Sequence, residues 1–480
     1  MTFNMQEQNK LNTCIKFIIN NSDYSDCLMN RFAIDSRRIS NKQIFISLEK
    51  NSSKNINNIK HAIAKGASGF ITSVSLTRGI ISSSIPFLVI KELEKIYVEL
   101  FKNDFIKTKC EPSIIGITGT NGKTSTVLSL AQALTIQGKK VGVVSSEGIG
   151  IYPDLVHNDY TTPPIDLNYK YLRKFSDRKC HYVIIECSSQ GLHQGRLNGF
   201  SFNYSLITNI DQDHIDYHRS LKNYINSKLK IINQSQTSIL NYDCTKLNKV
   251  NLKNYSCNIF FISNKMYKNS NVINTSLGYD YNRLEQFNIY SLLMITAVMK
   301  LENFSNLKII NSLKNLTPLL GRRQVINTSD KGTYIIDYAH TSGAYKIIYQ
   351  DFVTQKKICT LFGCGGDRDR AKRAQTARIV DKYSSKIILT SDNSRTENFE
   401  NIQKDILDGI KNTNKVIVIR SRKEAIKYMF KHSSKNQLNF ILGKGNENHI
   451  LENGKIIPHN DIIYLMNLLK NYEHKTIQDC

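Results

Sequence analysis

Paired cysteines are missing from this chain. Its 10 cysteines are scattered singletons with no CxxC pair, which argues against a zinc ribbon or a disulfide scaffold and for thiols kept reduced. Long apolar runs are missing as well. Nothing approaches the ~18 consecutive apolar residues of a membrane span, and the opening MTFNMQEQNKLNT has neither the basic start nor the apolar centre of a signal peptide. A soluble, cytoplasmic protein with no membrane partner is expected. Acidic residues are scarce, 40 Asp and Glu against 65 Lys and Arg, for a formal net charge of +25. Such a balance raises the question of nucleic acid, yet no RNA- or DNA-binding motif is present and the lysines are spread along the whole chain among many Asn and Ile. A compositional bias of the kind an AT-rich genome imposes accounts for all three residue types, so no nucleic-acid partner is expected. The positive field still favours small, phosphate-rich substrates.

The 480 residues suffice for about three domains, without internal repeats or low-complexity linkers. Residues 1–110 are motif-poor, with the strand-like runs QIFISL and SIPFLVI around the helical-looking NIKHAIAKG. The segment TPLLGRRQ, residues 317–324, breaks a long α/β region with Pro and Gly and reads as a boundary. Beyond it, five short apolar, β-branched runs each end in a polar or glycine-rich motif: TYIIDYAH, KICTLFGCGGDRD, KIILTSDNSR, KVIVIRSR and FILGKGNE. Strands of that kind, separated by helix-length segments, predict a parallel sheet buried on both faces. Ligands gather at the carboxyl ends of such strands, where the polar residues stand.

The stretch GITGTNGKTS, residues 116–125, lies between the strand-like PSIIGIT and the helical TVLSLAQALTIQG. A glycine-rich turn there aims backbone N–H groups and a helix N-terminus at an anion, with Lys123 as a point charge and the Thr124 hydroxyl free for Mg²⁺. The usual G-x-x-x-x-G-K-[ST] spacing is not met: Ile117 stands five before Gly122, and Gly119 three before it. Glu186 follows the apolar run HYVIIE, where a carboxylate reaches Mg²⁺ directly or through water. His214 and His218 lie four apart among aspartates, but without a third ligand at zinc spacing and without HEXXH, so zinc is not expected.

Taken in order, DSRRIS (35–40), GITGTNGKTS (116–125), TTP (161–163), ECSSQGLHQGRLNG (186–199), TNIDQDHIDYH (208–218), NYINSK (223–228), GRRQV (321–325), DYAHTS (337–342), FGCGGDRDRAKR (362–373), DNSRTE (392–397) and GKGNE (443–447) resemble the Mur ligases of the MurE type. The resemblance implies an α/β fold of three domains: a UDP-sugar-binding domain at 1–110, a central P-loop ATPase domain at 111–320 and a Rossmann-like amino-acid-binding domain at 321–480. It implies an ATP-dependent ligase in peptidoglycan precursor synthesis, a monomer, that joins an amino acid to UDP-N-acetylmuramoyl-L-alanyl-D-glutamate through an acyl phosphate. ATP would be held by Gly119, Thr120, Asn121, Gly122, Lys123, Thr124, Ser125, Asn288, Arg322, Asp337 and His340. Lys123, Glu186, His214 and Lys228 would be catalytic, with Thr124, Glu186, His214 and a carbamylated Lys228 as the Mg²⁺ positions. Ser36 and Arg37 would meet the UDP end, and Thr161, Thr162, Ser188, Gln194 and Arg196 the muramoyl peptide.

The incoming amino acid is addressed by DNSR. Enzymes of this type that add meso-diaminopimelate carry Asp-Asn-Pro-Arg, and Arg395 keeps its place here. Its guanidinium suits the second carboxylate of diaminopimelate and would repel the lysine ammonium. Arg368, Asp392, Asn393, Gly443 and Glu447 would complete the pocket. Meso-diaminopimelate is thus expected, with an L-lysine-adding ligase as the alternative. Gln190, Ser291, Gln324, Ser394 and Asn446 depart from the family pattern. These departures leave a catalytically impaired nucleotide-binding protein as a second alternative.

Overall fold

Apolar strands that end in polar loops recur three times along the chain, and each set closes into its own sheet. The computed structural model describes residues 31–478 apart from 41, 75–84, 91, 95–96, 100–101, 103–110, 266–270, 278–279, 282–286 and 353–356. The opening segment read for a signal peptide lies outside the described residues.

The first sheet is parallel, in the order β1 (Phe32–Ala33), β2 (Ile44–Ser47), β3 (Gly69–Thr72), β4 (Phe87–Val89). The helix Ser52–Ala64 crosses from β2 to β3, started by the Asn51 side chain accepting from the Lys54 N–H. It corresponds to the NIKHAIAKG stretch.

The second sheet comprises β5 (Ser113–Thr118), β6 (Val141–Ser145), β7 (Gly148–Ile151), β8 (Asp154–Val156), β9 (Tyr182–Glu186), β10 (Phe202–Ile207), β11 (Ser235–Asn241) and β12 (Asn258–Ile262). Their spatial order is β12-β11-β10-β5-β9-β6-β7-β8, parallel except for the β6-β7-β8 meander. β5 lies between β10 and β9, so the loop that leaves it emerges over the middle of the sheet. The helix Lys123–Ile136 is apolar nearly all round because it is covered on two sides, by the sheet and by the helices Ile289–Leu301 and Asn306–Lys314.

The third sheet comprises β13 (Gln324–Asn327), β14 (Thr333–Asp337), β15 (Lys357–Phe362), β16 (Lys386–Leu389), β17 (Val416–Val418) and β18 (Gln437–Leu442), in the order β13-β14-β18-β15-β16-β17. The five runs read from the sequence are its parallel strands. β13 is antiparallel to β14 and starts at Gln324, inside the segment read as a pattern break. Beyond β18 a hairpin of β19 (His449–Glu452) and β20 (Lys455–Pro458) precedes the helix Asp461–Gln478.

The buried apolar clusters divide unevenly. Phe32, Ile46 and Ile71 of the first sheet share one core with Ile149 of the second and with Ile165 and Tyr169 of the helix Ile165–Asp177. The two cores of the third sheet draw only on residues from Ile326 onward. Polar contacts join it to the second sheet: Lys372 with Asp213, Arg322 Nη2 with Glu147 Oε1 at 3.1 Å, and Thr341 Oγ1 donating to Asn121 Oδ1 at 3.0 Å. Among the described residues no helix is long and apolar enough to cross a membrane.

Candidate active site

The loop after β5 is shaped by two glycines and gripped from β10. Gly119 has φ +150°, and a Cβ there would lie 1.9 Å from Thr208 Oγ1, so no larger residue fits. Thr208 Oγ1 donates to the Asn121 carbonyl at 2.7 Å, while Asn209 accepts the Asn121 N–H at 3.0 Å on Oδ1 and the Thr120 N–H at 2.9 Å on its carbonyl. Gly122, φ +80°, caps the helix Lys123–Ile136 without a side-chain bond, so the first N–H groups of that helix stay available to an anion.

Behind the loop, two lysines converge on one acceptor. Lys123 Nζ donates to the carbonyls of Gly119 and Thr120 at 3.1 and 3.0 Å, and Lys228 Nζ donates to Gly119 at 2.6 Å. Lys228, 1% exposed, stands over the Tyr224 ring. Burial first, then the charge of Lys123, hold its pKa well below the ordinary lysine value.

Glu186 ends β9 and is 2% exposed. Its carboxylate accepts from Thr124 Oγ1 at 2.9 Å and from the N–H and Oγ of Ser146, both at 3.0 Å. These hydrogen-bond partners are neutral. A buried carboxylate beside a threonine and a serine hydroxyl is an oxygen-rich donor set that suits a hard divalent cation such as Mg²⁺. His214 lies nearby with burial pushing its pKa down to about 4, against the pull of Asp213, so its imidazole is neutral and able to ligate at neutral pH. Among the described residues no group of three His, Cys, Asp or Glu forms a metal cluster. His218 is directed away from His214, into a ring cluster with His193, Tyr217 and Tyr224.

The third sheet supplies the opposite wall. Arg395, half-buried at φ +54°, donates through Nη1 to the Gly366 carbonyl at 2.7 Å. Burial, then the charge of Arg368, lower its pKa against the pull of Asp392, Asp367 and Glu447. Asp392 and Glu447 lie close by, the latter accepting from Asn393 Nδ2 at 3.0 Å and from the buried Lys444 Nζ at 2.7 Å. Positive and negative groups side by side fit the zwitterionic end of an amino acid.

These walls enclose one cleft of about 1460 Å³. It brings together the sequence-proposed Thr120 to Ser125, Thr161, Thr162, Glu186, Ser188, Arg196, His214, Lys228, Asn288, Arg322, Asp337, His340, Arg368, Asp392, Asn393, Arg395, Gly443 and Glu447. Four of the proposed residues, Gly119, Gln194, Ser36 and Arg37, are not in its lining. Gly119 lies behind the loop as the lysines' acceptor. Gln194 bonds Arg196 Nε at 2.9 Å, and Arg196 in turn donates to the Thr162 carbonyl at 2.7 Å. Ser36 lies in the first sheet's region with its Oγ 3.1 Å from His61 Nδ1, while its neighbour Arg37 pairs with Asp35.

Two family models match. The Mur ligase middle domain covers residues 117–330 and the glutamate ligase domain of Mur ligases covers residues 321–445. The UDP-N-acetylmuramoyl-L-alanyl-D-glutamate–2,6-diaminopimelate ligase of Wigglesworthia glossinidia brevipalpis is 33% identical, over 93% of this chain and 96% of its own length. The chain belongs to the Mur ligase family. The enzyme of the same name from Coxiella burnetii is 31% identical, over 91% of this Mur ligase and 95% of its own length. A solved structure of a ligase of that name superposes with a TM-score of 0.60 at 25% identity, covering 92% of this chain and 95% of that one. The MurF ligase from Thermotoga maritima, in complex with ADP, shares the fold at a TM-score of 0.57 and 13% identity, covering 95% and 100%. The fold of this Mur ligase is α/β throughout.

Several cleft residues of this Mur ligase escaped the sequence reading. Ser146 follows the apolar run VGVVS, the same strand-end rule that located Glu186. Lys372 lies inside a motif read for other residues, and Asp213 stands next to His214. Burial alone would raise the Asp213 carboxyl, but His214, Lys372 and His340 together hold it below the usual carboxylate range. The departures from the family pattern also find partners. Gln324 Oε1 accepts from the Gly321 N–H at 2.9 Å, Ser291 Oγ meets Thr126 Oγ1 at 2.9 Å, and Asn446 Oδ1 accepts from Asn460 at 3.3 Å.

Proposed function

We propose that this Mur ligase adds meso-diaminopimelate to UDP-N-acetylmuramoyl-L-alanyl-D-glutamate, with ATP converted to ADP and phosphate. The observation that carries the choice of amino acid is the pair Arg368 and Arg395 facing the cleft beside Asp392 and Glu447. A carboxylate relieves the repulsion of two guanidiniums, whereas a lysine ammonium adds to it. The names of its relatives agree.

The three sheets divide the work along the chain, with residues 1–110 for the UDP sugar, 111–320 for ATP and 321–480 for the amino acid. The loop Gly119–Ser125 cradles the phosphates of ATP, and Lys123 offsets their charge as the substrate carboxylate approaches. Asn288, Arg322, Asp337 and His340 line the nucleotide's remaining length. Thr162, Ser188 and Arg196, ordered by Gln194, orient the glutamyl carboxylate. That carboxylate attacks the terminal phosphorus and ADP leaves. The diaminopimelate amine then attacks the acyl carbon, a proton leaves the nitrogen, and phosphate departs. Thr124, Glu186, His214 and carbamylated Lys228 would hold Mg²⁺, which when bound supplies charge neutralisation at the phosphates. In its neutral form the Lys228 amine would attack CO₂, forming an N–C bond and losing one N–H proton to solvent, and the resulting carbamate would turn Lys228 from a donor into an oxygen ligand. Both nucleotide substrates belong to the cytoplasm, where a monomer would suffice, since one chain carries all three sheets.

The deciding experiment supplies the purified protein with ATP, Mg²⁺ and the UDP-linked dipeptide, with meso-diaminopimelate or L-lysine as acceptor, and follows phosphate and ligated product. Product with diaminopimelate and not lysine is expected. Product with lysine alone overturns the argument from Arg395, and no product with either overturns the reading.

A further inference from the structure

Arg395 holds its guanidinium on a left-handed backbone, φ +54°, which residues with a side chain rarely adopt. Its own loop does not enforce this. Ser394 stands where the resembling enzymes have proline, and serine leaves both its own φ and the conformation of Asn393 unrestricted. Enforcement comes from the hairpin of β19 and β20. The hairpin turns at Asn453 and Gly454, both at positive φ (49° and 72°), the two-residue turn that an Asn-Gly pair favours. From it, the Leu451 carbonyl accepts the Arg395 N–H at 2.9 Å, and the Asn453 N–H donates back to the Arg395 carbonyl at 2.6 Å. The Leu451 N–H also donates to Asn393 Oδ1 at 2.9 Å, and Arg420 Nη2 ties Glu452 Oε1 to the end of β17 at 2.8 Å. The hairpin contributes little to a core. Only Ile450 of it is buried, while Ile456 and Ile457 are 71% and 40% exposed.

Resting on the functional reading above, we propose that the hairpin His449–Pro458 is the positioning element of the amino-acid selector. It clamps both main-chain polar groups of Arg395, so that the guanidinium is set in place before the second carboxylate of diaminopimelate arrives. Asn453 and Glu452 are its positioning residues; neither touches the reacting atoms. Preorganisation of this kind appears in the KM of one substrate and in selectivity.

Asn453→Pro removes the donating N–H and cannot hold the positive φ. In the full chain it is expected to raise KM for meso-diaminopimelate about tenfold, with KM for ATP and for the UDP-linked dipeptide unchanged, and to narrow the preference over lysine. Amide hydrogen exchange over residues 392–397 is expected to quicken, with exchange in β14, β15 and β18 unaltered. Should that variant fail to fold, Glu452→Ala leaves the turn intact and is read by the same two measurements. Unchanged exchange and unchanged KM in a folded variant overturn the proposal, as does a uniform fall in activity without a change in diaminopimelate KM. A wild-type protein that makes no product fails the functional reading instead. The exchange measurement still decides whether the hairpin sets the loop.

Discussion

Lys123 and Lys228 donate to the same carbonyl, that of Gly119, at 3.1 and 2.6 Å. Two ammonium groups on one buried acceptor repel, and burial penalises both charges. Lys228, 1% exposed, is the more strongly affected, so it is the one poised to react with CO₂. Activity after CO₂ depletion is expected to fall and to return on adding bicarbonate. Lys228→Ala is expected to lose on the order of 10²-fold in kcat, with partial rescue by small carboxylates. Intact mass spectrometry under native conditions tests whether one CO₂ is carried.

Glu186→Gln keeps an acceptor for Thr124 but removes the charge. The variant is expected to stay folded, to need far more Mg²⁺ for half-maximal rate, and to lose about 10²–10³-fold in kcat. A magnesium titration of the initial rate, beside a thermal melt, separates this from a folding defect.

Arg395→Ala and Arg395→Lys should both weaken diaminopimelate, by about 1.5–3 kcal/mol for a hydrogen bond to a charged group. A lysine side chain lacks the flat fork and does not restore it. Initial rates against diaminopimelate and ATP separately check this, and an equal rise in both KM values would contradict it.

His218 is 3% exposed, with Nδ1 on Ser227 Oγ and, among the described residues, no hydrogen-bond partner at Nε2. Burial, then the nearby His193, hold its pKa at about 4 against an ordinary 6.5. Between those values the unfolded chain binds the proton and the folded chain does not, so stability rises with pH through that window and is lost as pH falls from about 6.5 towards 4. His214, held at about 4, acts in the same direction. Melting temperature measured from pH 7 down to pH 4 should show the decline, and His218→Gln should make it shallower.

Arg422 and Asp461 form a fully buried pair, with nitrogen–oxygen distances of 2.8 and 2.7 Å, and His459 Nε2 adds a third contact to Asp461 at 2.7 Å. Asp461→Asn strands the guanidinium inside the third sheet's packing. A loss of about 3–5 kcal/mol is expected in denaturant unfolding of that region.

The sequence disclosed the strand-end sites because each depends on a local signature: an apolar run, then glycine or a charged residue. Glu186, Arg395 and the loop residues Thr120–Ser125 were legible as strand-end groups for that reason, and the structure lines one cleft with them. Gln194 and Ser36 were assigned to ligand contact by motif alone, and neither is in the lining of the cleft. A motif reports which residues are near the chemistry, not which way each one faces. Lys372 and Asp213 were not singled out because their pairing spans two sheets, and no spacing along the chain encodes it. The hairpin's hold on Arg395 is equally non-local.

The two seams of the molecule differ in material. The first and second sheets are joined by a shared apolar core, so prising them apart would wet Phe32, Ile46 and Tyr169. The third sheet meets the second through Lys372 with Asp213, Arg322 with Glu147 and Thr341 with Asn121, groups for which water is a ready substitute. The first seam is welded by oil, whereas these clasps of the second can each be undone and done up again by exchange with water.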